Sequence, residues 1–506
     1  VIDPRNVDVE PLELVATPEG QILDCDLSYD GETVLFSWRR TQAEGYHLWT
    51  IRVDGSNLTQ LTDGVWHDYN ACWLPDGDIA FLTTRAPQFA YCWHAPVGIL
   101  HRMSPDGSNL VKLSANYLND FTPAVLDDGR IIYTRWEYVD RPAIPIQSLW
   151  TLNPDGTGLS VFFGNRVLSP GTFMEARSVP GTSKIICTMT GHNGPTRGAI
   201  GLIDRSKGFN AQSAIENITP DVPVPNVNQG NGNTDGTKLY SCPWPLDSRR
   251  FLLSCRGPVV ARTYSGDCAA LALPAPKNGM QWFSPRPIQP RPEPPVITSG
   301  QAIDAEGEQQ GYATIFLQDL YNGLEPQVRR GEVAAIRVVR EMQKTVRIDP
   351  HLRAFGFQFP VISCGATYAG KTVIGDVPVD RDGSACFRVP AGIPLYFMAL
   401  DHEGRAVQRM RSFTHLMPGE VQGCVGCHEH RRQTSRASFV SATSHRPMEP
   451  LPPKWGVGGF DYSRVVQPVL DQHCVKCHNP IDVPNGIDLT GGKTDFFNVS
   501  YDVLAR

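Results

Sequence analysis

The 506-residue sequence contains no apolar run approaching the 20 or so residues that a membrane-spanning helix requires, so no membrane span is expected. It also lacks a basic excess. Its 46 lysines and arginines stand against 52 aspartates and glutamates, and no long basic stretch occurs, so no nucleic-acid partner is expected. The first residues, Val1-Ile2-Asp3-Pro4-Arg5, include neither a methionine nor a charged and apolar leader, and the chain is read as the mature form of an exported protein. Two absences at the other end bear on chemistry. No methionine follows Met448 and no histidine follows His478.

Against that background two short stretches stand out, Cys424-Val425-Gly426-Cys427-His428 and Cys474-Val475-Lys476-Cys477-His478. In the C-x-x-C-H pattern two thiols add to the vinyl groups of one porphyrin, and the adjacent imidazole reaches the iron from one side. Two covalently bound haem c groups are therefore expected, with His428 and His478 as iron ligands. Zinc is the competing reading at the first motif, where Cys424, Cys427, His428 and His430 offer four donors. The paired motifs of a zinc ribbon, however, lie only about 15 to 20 residues apart, far closer than these. Nine further cysteines remain, an odd number, and most are expected to be small buried apolar residues.

The first half repeats itself with a period of about 50 residues, the length of a propeller blade of four short strands. An inner turn and strand recur at Asp30-Gly31 with Thr33 to Ser37, at Asp76-Gly77 with Ile79 to Thr83, and at Asp128-Gly129 with Ile131 to Thr134. Weaker copies follow at Pro180-Gly181 and Asp247-Ser248. An outer element ending in Asp54-Gly55-Ser56-Asn57, Asp106-Gly107-Ser108-Asn109 and Asp155-Gly156-Thr157-Gly158 recurs in the same phase. Five blades can be counted, and a sixth is expected from the segment after Cys255 together with the N-terminal strand. A loop at Thr190 to Pro195 would face the propeller mouth. Its His192 is read either as a pocket residue near a haem or as a solvated loop histidine.

The expected fold class is mainly β: a β-propeller over 1–282, a Pro-rich linker over 283–300, a β-sandwich-like middle domain over 301–435 with the first haem, and a small α-helical cytochrome c domain over 436–506 with the second. Phe283 to Pro295 cannot be helix or central strand and reads as extended chain. Strand-like runs separated by turns such as Arg381-Asp382-Gly383-Ser384 give the middle domain an antiparallel sandwich. With so little chain after His478, the last domain is expected to continue beyond Arg506. His445 and His473 are the candidate sixth ligands of the second haem.

Asp382 to Gly392, then Arg411-Ser412, Pro418-Gly419-Glu420 and Gly423 to Glu429, resemble the middle domain of the hydrazine synthase alpha subunit and its relatives. The propeller repeat is similar to TolB-like propellers, and Phe460 to Leu470 resembles the first helix of a planctomycete-type cytochrome c domain. The resemblance implies an extracytoplasmic haem oxidoreductase, in a periplasm or equivalent compartment, or the anammoxosome for a true hydrazine synthase. It implies a small nitrogen-containing substrate, hydroxylamine and ammonia giving hydrazine at the first haem, and partner cytochrome or propeller subunits in a redox complex. In that family a tyrosine four residues after the motif histidine binds the first iron, and the histidine itself holds zinc. Here that position is Arg432.

Two function classes follow. An enzyme needs an open iron with acid and base groups around it, for which His192, His430 and Arg432 are the haem-pocket candidates, with Glu429, Arg431 and Asp401 nearby in sequence. An electron carrier or structural subunit needs both irons closed.

Overall fold

The computed structural model describes every residue except 4, 7–8, 92–93, 139–145, 193–194, 228–238, 256, 275–280, 300–302, 348–369, 428–439, 457, 460, 482, 496 and 506. The chain forms two compact units, the first comprising Val1–Pro87 with Pro96–Gly300 and the second Gln88–Ala95 with Gln301–Arg506.

The first unit is a β-propeller. Its described residues form five groups of four strands, each group ordered in space as in sequence with antiparallel neighbours. The groups open with Gln21–Leu27, Asp68–Trp73, Asp120–Val125, Thr172–Ser178 and Tyr240–Pro245. These five first strands follow one another side by side around the unit. The outer hairpins of the first three groups turn on an Asp that accepts the N–H two residues on, as Asp54 does from Ser56 at 2.9 Å and Asp106 from Ser108 at 3.0 Å. The glycine between them has a φ of 88° in the first case and 85° in the second, which only glycine adopts without strain. Apolar residues of neighbouring sheets interleave, with Leu149, Phe163, Phe173, Ile186 and Phe251 in one core.

The expected sixth sheet is not formed among the described residues. Val259–Thr263 and Cys268–Ala270 instead complete the fifth. The tight turn after Cys255, whose N–H reaches Pro258 O at 3.0 Å, folds the following strand back on Arg250–Cys255 in the register Ser254 opposite Val259. The strand nearest in sequence thus captures the edge.

The Pro-rich stretch is extended, as expected, and it is docked on the propeller unit. Residues up to 299 belong to the propeller unit. Ser284 donates its N–H to Ser254 Oγ of the fifth sheet at 3.1 Å, and Arg291 N–H bonds Tyr29 O beside the first sheet at 2.9 Å. Arg291 also pairs with buried Asp26 at 3.1 Å and lies 4.2 Å from the Tyr29 ring centroid. The prolines keep the segment extended, and the few side chains between them tie the fifth sheet to the first.

A second feature breaks strand alternation. Asn70, Thr122, Glu175 and Cys242 occupy matching bulges in four successive first strands, each with φ between 43° and 57°. A left-handed non-glycine residue costs about 1 kcal/mol or more and turns its N–H out of the ladder. The preceding sheet supplies an acceptor. Asn70 N donates to Asp24 at 2.8 Å, Glu175 N to Thr122 Oγ1 at 3.0 Å and Cys242 N to Glu175 at 2.6 Å.

The second unit contains a sandwich of two sheets over one core that includes Ile315, Leu317, Val338, Phe387 and Leu395. One sheet has Tyr312–Leu317 between Ala385–Pro390 and Val421–Cys424; the other runs Ala406–Arg409, Leu395–Asp401, Val333–Glu341, Lys371–Pro378, Gly458–Gly459. Val421–Cys424 pairs parallel to Tyr312–Leu317, so the sandwich is mixed rather than wholly antiparallel. The stretch drawn after 435 as the start of the last domain stays with the sandwich: Leu451 exchanges hydrogen bonds with Asp376, and Gly458–Gly459 pairs with Lys371–Pro378. Gln88–Ala95 joins this unit through Phe89 N to Lys344 O at 2.8 Å and Lys344 Nζ to Ala90 O at 3.1 Å. Two short helices, Gln467–His473 and Val499–Ala505, follow.

Candidate haem-binding motifs

The first motif begins on a strand and ends on a loop clamped by the sandwich. Cys424, half-buried, closes Val421–Cys424 opposite Leu317, and its carbonyl accepts Gln318 N–H at 2.8 Å. Cys427 is exposed, and its N–H reaches Leu320 O at 3.4 Å. Between them, Gly426 lies so close to Asn322 that an added Cβ would stand 2.7 Å from Asn322 Cβ and closer still to its carbonyl oxygen. The two thiols are thus presented by a loop with little room to move. Leu320 N–H in turn bonds Gly383 O at 2.8 Å, which places the Asp382-Gly383-Ser384 turn against the same loop. Asp382 then accepts Ser441 N–H at 2.6 Å and Ser384 Oγ accepts Ala442 N–H at 3.0 Å. Burial works to raise the Asp382 carboxyl, but the hydrogen bonds from Ser384 and Ser441 outweigh it and hold the carboxyl down at about 2. His428, His430, Arg432, Glu429 and Arg431 lie outside the described residues. Asp401 serves a turn, accepting Glu403 N, Arg405 N and Arg405 Nε.

The second motif caps a helix. Asp461 accepts Arg464 N–H at 2.9 Å to start the helical run, and after Gln467–His473 the chain bends so that Cys474 O accepts both Cys477 N–H, at 3.1 Å, and His478 N–H, at 2.9 Å. Cys474 and His478 are half-buried and Cys477 is exposed. His478 Nδ1 lies 3.1 Å from Ile487 O. A carbonyl can only accept, so Nδ1 carries the proton and Nε2 is left as the free donor atom for a metal. Gln467, buried in the helix, reaches Leu489 O at 3.1 Å and also bonds Ser500, tying the motif helix to both the loop behind His478 and the last helix.

The other candidate ligands fall in different settings. His473 is exposed at the end of its helix. His445 has both ring nitrogens engaged, Nε2 with Asp380 at 3.0 Å and Nδ1 with Arg446 O at 3.0 Å. Those bonds, first Arg446 and then Asp380, raise its imidazole above the ordinary value. As placed, it is a partner of the sandwich rather than an open ligand. His192 is buried in the propeller unit, not solvated, with its ring centroid 5.5 Å from that of Trp136 and Nδ1 accepting from Gln147 Nε2 at 3.3 Å. Burial pushes it down to about 4, so it is a neutral imidazole at neutral pH. Among the described residues no group of three or more His, Cys, Asp or Glu side chains could hold a metal ion, and no helix is long and apolar enough to cross a membrane.

The segment from the strand Val333–Glu341 to the first C-x-x-C loop is the part that matches a known domain. Residues 331–429 match the family described as hydrazine synthase alpha subunit middle domain. The chain thus carries a hydrazine synthase alpha subunit middle domain. The alpha subunit of hydrazine synthase from Kuenenia stuttgartiensis is 20% identical over 496 aligned residues, which cover 79% of this chain and 59% of that protein. The chain therefore spans less than two thirds of that curated relative. The solved hydrazine synthase of the same organism superposes with a TM-score of 0.77 at 18% identity, covering 96% of this chain and 78% of that one, and so shares its fold.

Proposed function

We propose that this chain is a member of the hydrazine synthase alpha family and an extracytoplasmic dihaem c-type cytochrome. In this reading the first haem is the catalytic centre and the second passes electrons. The observation that carries it is the pair of C-x-x-C-H motifs together with the His478 ring, whose Nδ1–H is spent on Ile487 O and whose Nε2 is thereby turned into a ligand of fixed tautomer. Cys424 and Cys427 would hold the first haem with His428, and Cys474 and Cys477 the second with His478. When bound, haem supplies a redox-active iron whose potential follows its axial ligands and its burial.

The reaction assigned to the first site is condensation of hydroxylamine with ammonia, NH2OH + NH3 → N2H4 + H2O. It forms one N–N bond, breaks one N–O bond, and needs no net electrons. His430 offers a titratable imidazole for proton movement and Arg432 a fixed cation for orienting a polar substrate. Partner subunits of cytochrome or propeller type belong to the same proposal, since the curated relative is by name a subunit. Arg432, at the position of the family's tyrosine, favours a second reading in which the chain is an electron-transfer or structural subunit with both irons closed.

Peptide mass mapping of the purified protein tests the foundation of both. Peptides containing Cys424–Cys427 and Cys474–Cys477 should each carry one haem, and Cys474→Ser with Cys477→Ser should remove one and leave the other. Unmodified thiols at both motifs would overturn the proposal.

A further inference from the structure

The propeller unit holds a cluster of arginines that neither haem motif uses. At the C-terminal ends of the first strands, the indole of Trp244 is approached by three guanidinium groups, Arg177 and Arg286 each with Cζ 4.4 Å from its ring centroid and Arg291 at 5.7 Å. Their hydrogen bonds are unevenly filled. Arg291 gives Nη2 to Asp26 and to Leu27 O at 2.7 Å while its Nε has no partner, Arg286 has only Pro285 O at 3.0 Å, and the Arg177 guanidinium has no acceptor among the described residues.

The neighbouring carboxylates offset the deficit only in part. Asp24 is already taken by Ser37 and Asn70, and Glu175 by Thr188 and Cys242. Asp26 keeps one oxygen, Oδ1, without a partner. Donors outnumber acceptors by several N–H groups. Two planar forks beside one indole ring, each with N–H groups to spare, suit a planar, acceptor-only anion with two oxygens.

The geometry points to a binding site for a small carboxylate at the C-terminal ends of the propeller's first strands, held by Arg177 and Arg286 beside Trp244. Burial, followed by the neighbouring cations Arg286 and Arg291, lowers Arg177 to about 10, as expected of a guanidinium short of counter-charge. The assignment stands apart from the haem proposal, because every residue in it belongs to the propeller unit.

Calorimetric titration of the full haem-loaded chain with sodium acetate tests it, with acetamide as a neutral probe of the same shape at matched ionic strength. Wild type should bind acetate saturably and acetamide not at all. Arg177→Gln should weaken acetate binding about tenfold or more, and Arg177→Lys, which keeps the charge but not the fork, should fall between. Equal heats from acetate and acetamide in wild type, a comparison that needs no variant to fold, would overturn the site, as would acetate affinity unchanged in Arg177→Gln.

Discussion

Gly426→Ala is the substitution that most directly probes how the first thiol pair is held. The new methyl group would meet Asn322 at 2.7 Å from its Cβ and closer to its carbonyl, and neither atom is the end of a flexible side chain. The loop must therefore lift away from Asp319 to Asn322. Overpacking of this kind costs about 1–3 kcal/mol, and the two hydrogen bonds that clamp the loop, Gln318 N to Cys424 O and Cys427 N to Leu320 O, contribute about 0.5–1.5 kcal/mol each. The loss expected is about 2–6 kcal/mol, concentrated locally. Hydrogen exchange read by mass spectrometry should show faster exchange in 317–322 and 421–427, with propeller peptides unchanged. Gly423→Ala is the matched control, since nothing lies within 4 Å of its added Cβ, and it should leave exchange as in wild type. Wild-type protection in Gly426→Ala, or equal loosening in both variants, would refute the clamp.

Further expectations follow from the same geometry. Arg291→Met should destabilise the propeller by about 3–5 kcal/mol by stranding buried Asp26, and should open the 283–299 segment to limited proteolysis. Asp380→Asn should bring the His445 imidazole down toward its ordinary value in an NMR titration. Because that value is raised in the folded chain, the stability this pair contributes is present in full below about pH 6.5 and is lost as pH rises through the folded value. Burial raises Asp120 to about 6 against bonds from Asn116, Ser114 and Leu100 that lower it, so its effect has the opposite sense from an ion-paired carboxylate. Propeller stability should fall between about pH 4 and pH 6 as this group ionises, and Asp120→Asn should flatten that slope in denaturant unfolding.

Much of this fold is legible in the sequence because its turns are punctuated. Asp-Gly pairs mark both hairpins of the early sheets, and the strands Thr33–Arg39, Ile79–Thr83 and Ile131–Trp136 begin where those pairs predict. The number of sheets was harder to read. The segment after Cys255 has the composition of a new blade, and only the tight turn at Pro258 assigns it to the fifth. The proline-rich stretch is extended as its composition requires, yet composition cannot say whether an extended chain is free or docked. Arg286 and Arg291, set among the prolines, were the signal that it is docked. The left-handed bulges at Asn70, Thr122, Glu175 and Cys242 interrupt the period-2 pattern and share no residue type. Those at Asn70, Glu175 and Cys242 are sustained by an acceptor from another sheet that local sequence does not reveal. At the motifs, spacing alone identifies the cysteines and histidines, because two thiols and an imidazole must meet one porphyrin. The groups that hold them, Leu320, Asn322 and Ile487, are found only in the fold, because two of the three act through a backbone carbonyl and Asn322 through the closeness of its backbone and Cβ.

The proposed function requires one open haem and one closed haem. Low-temperature EPR of the ferric protein, recorded with and without hydroxylamine or nitric oxide, tests it most directly. The account predicts a high-spin signal that changes on adding either molecule, beside a low-spin signal that does not. Two low-spin signals, both indifferent to added ligand, would contradict catalysis at the haem held by Cys424 and Cys427 and leave an electron carrier borne by a propeller.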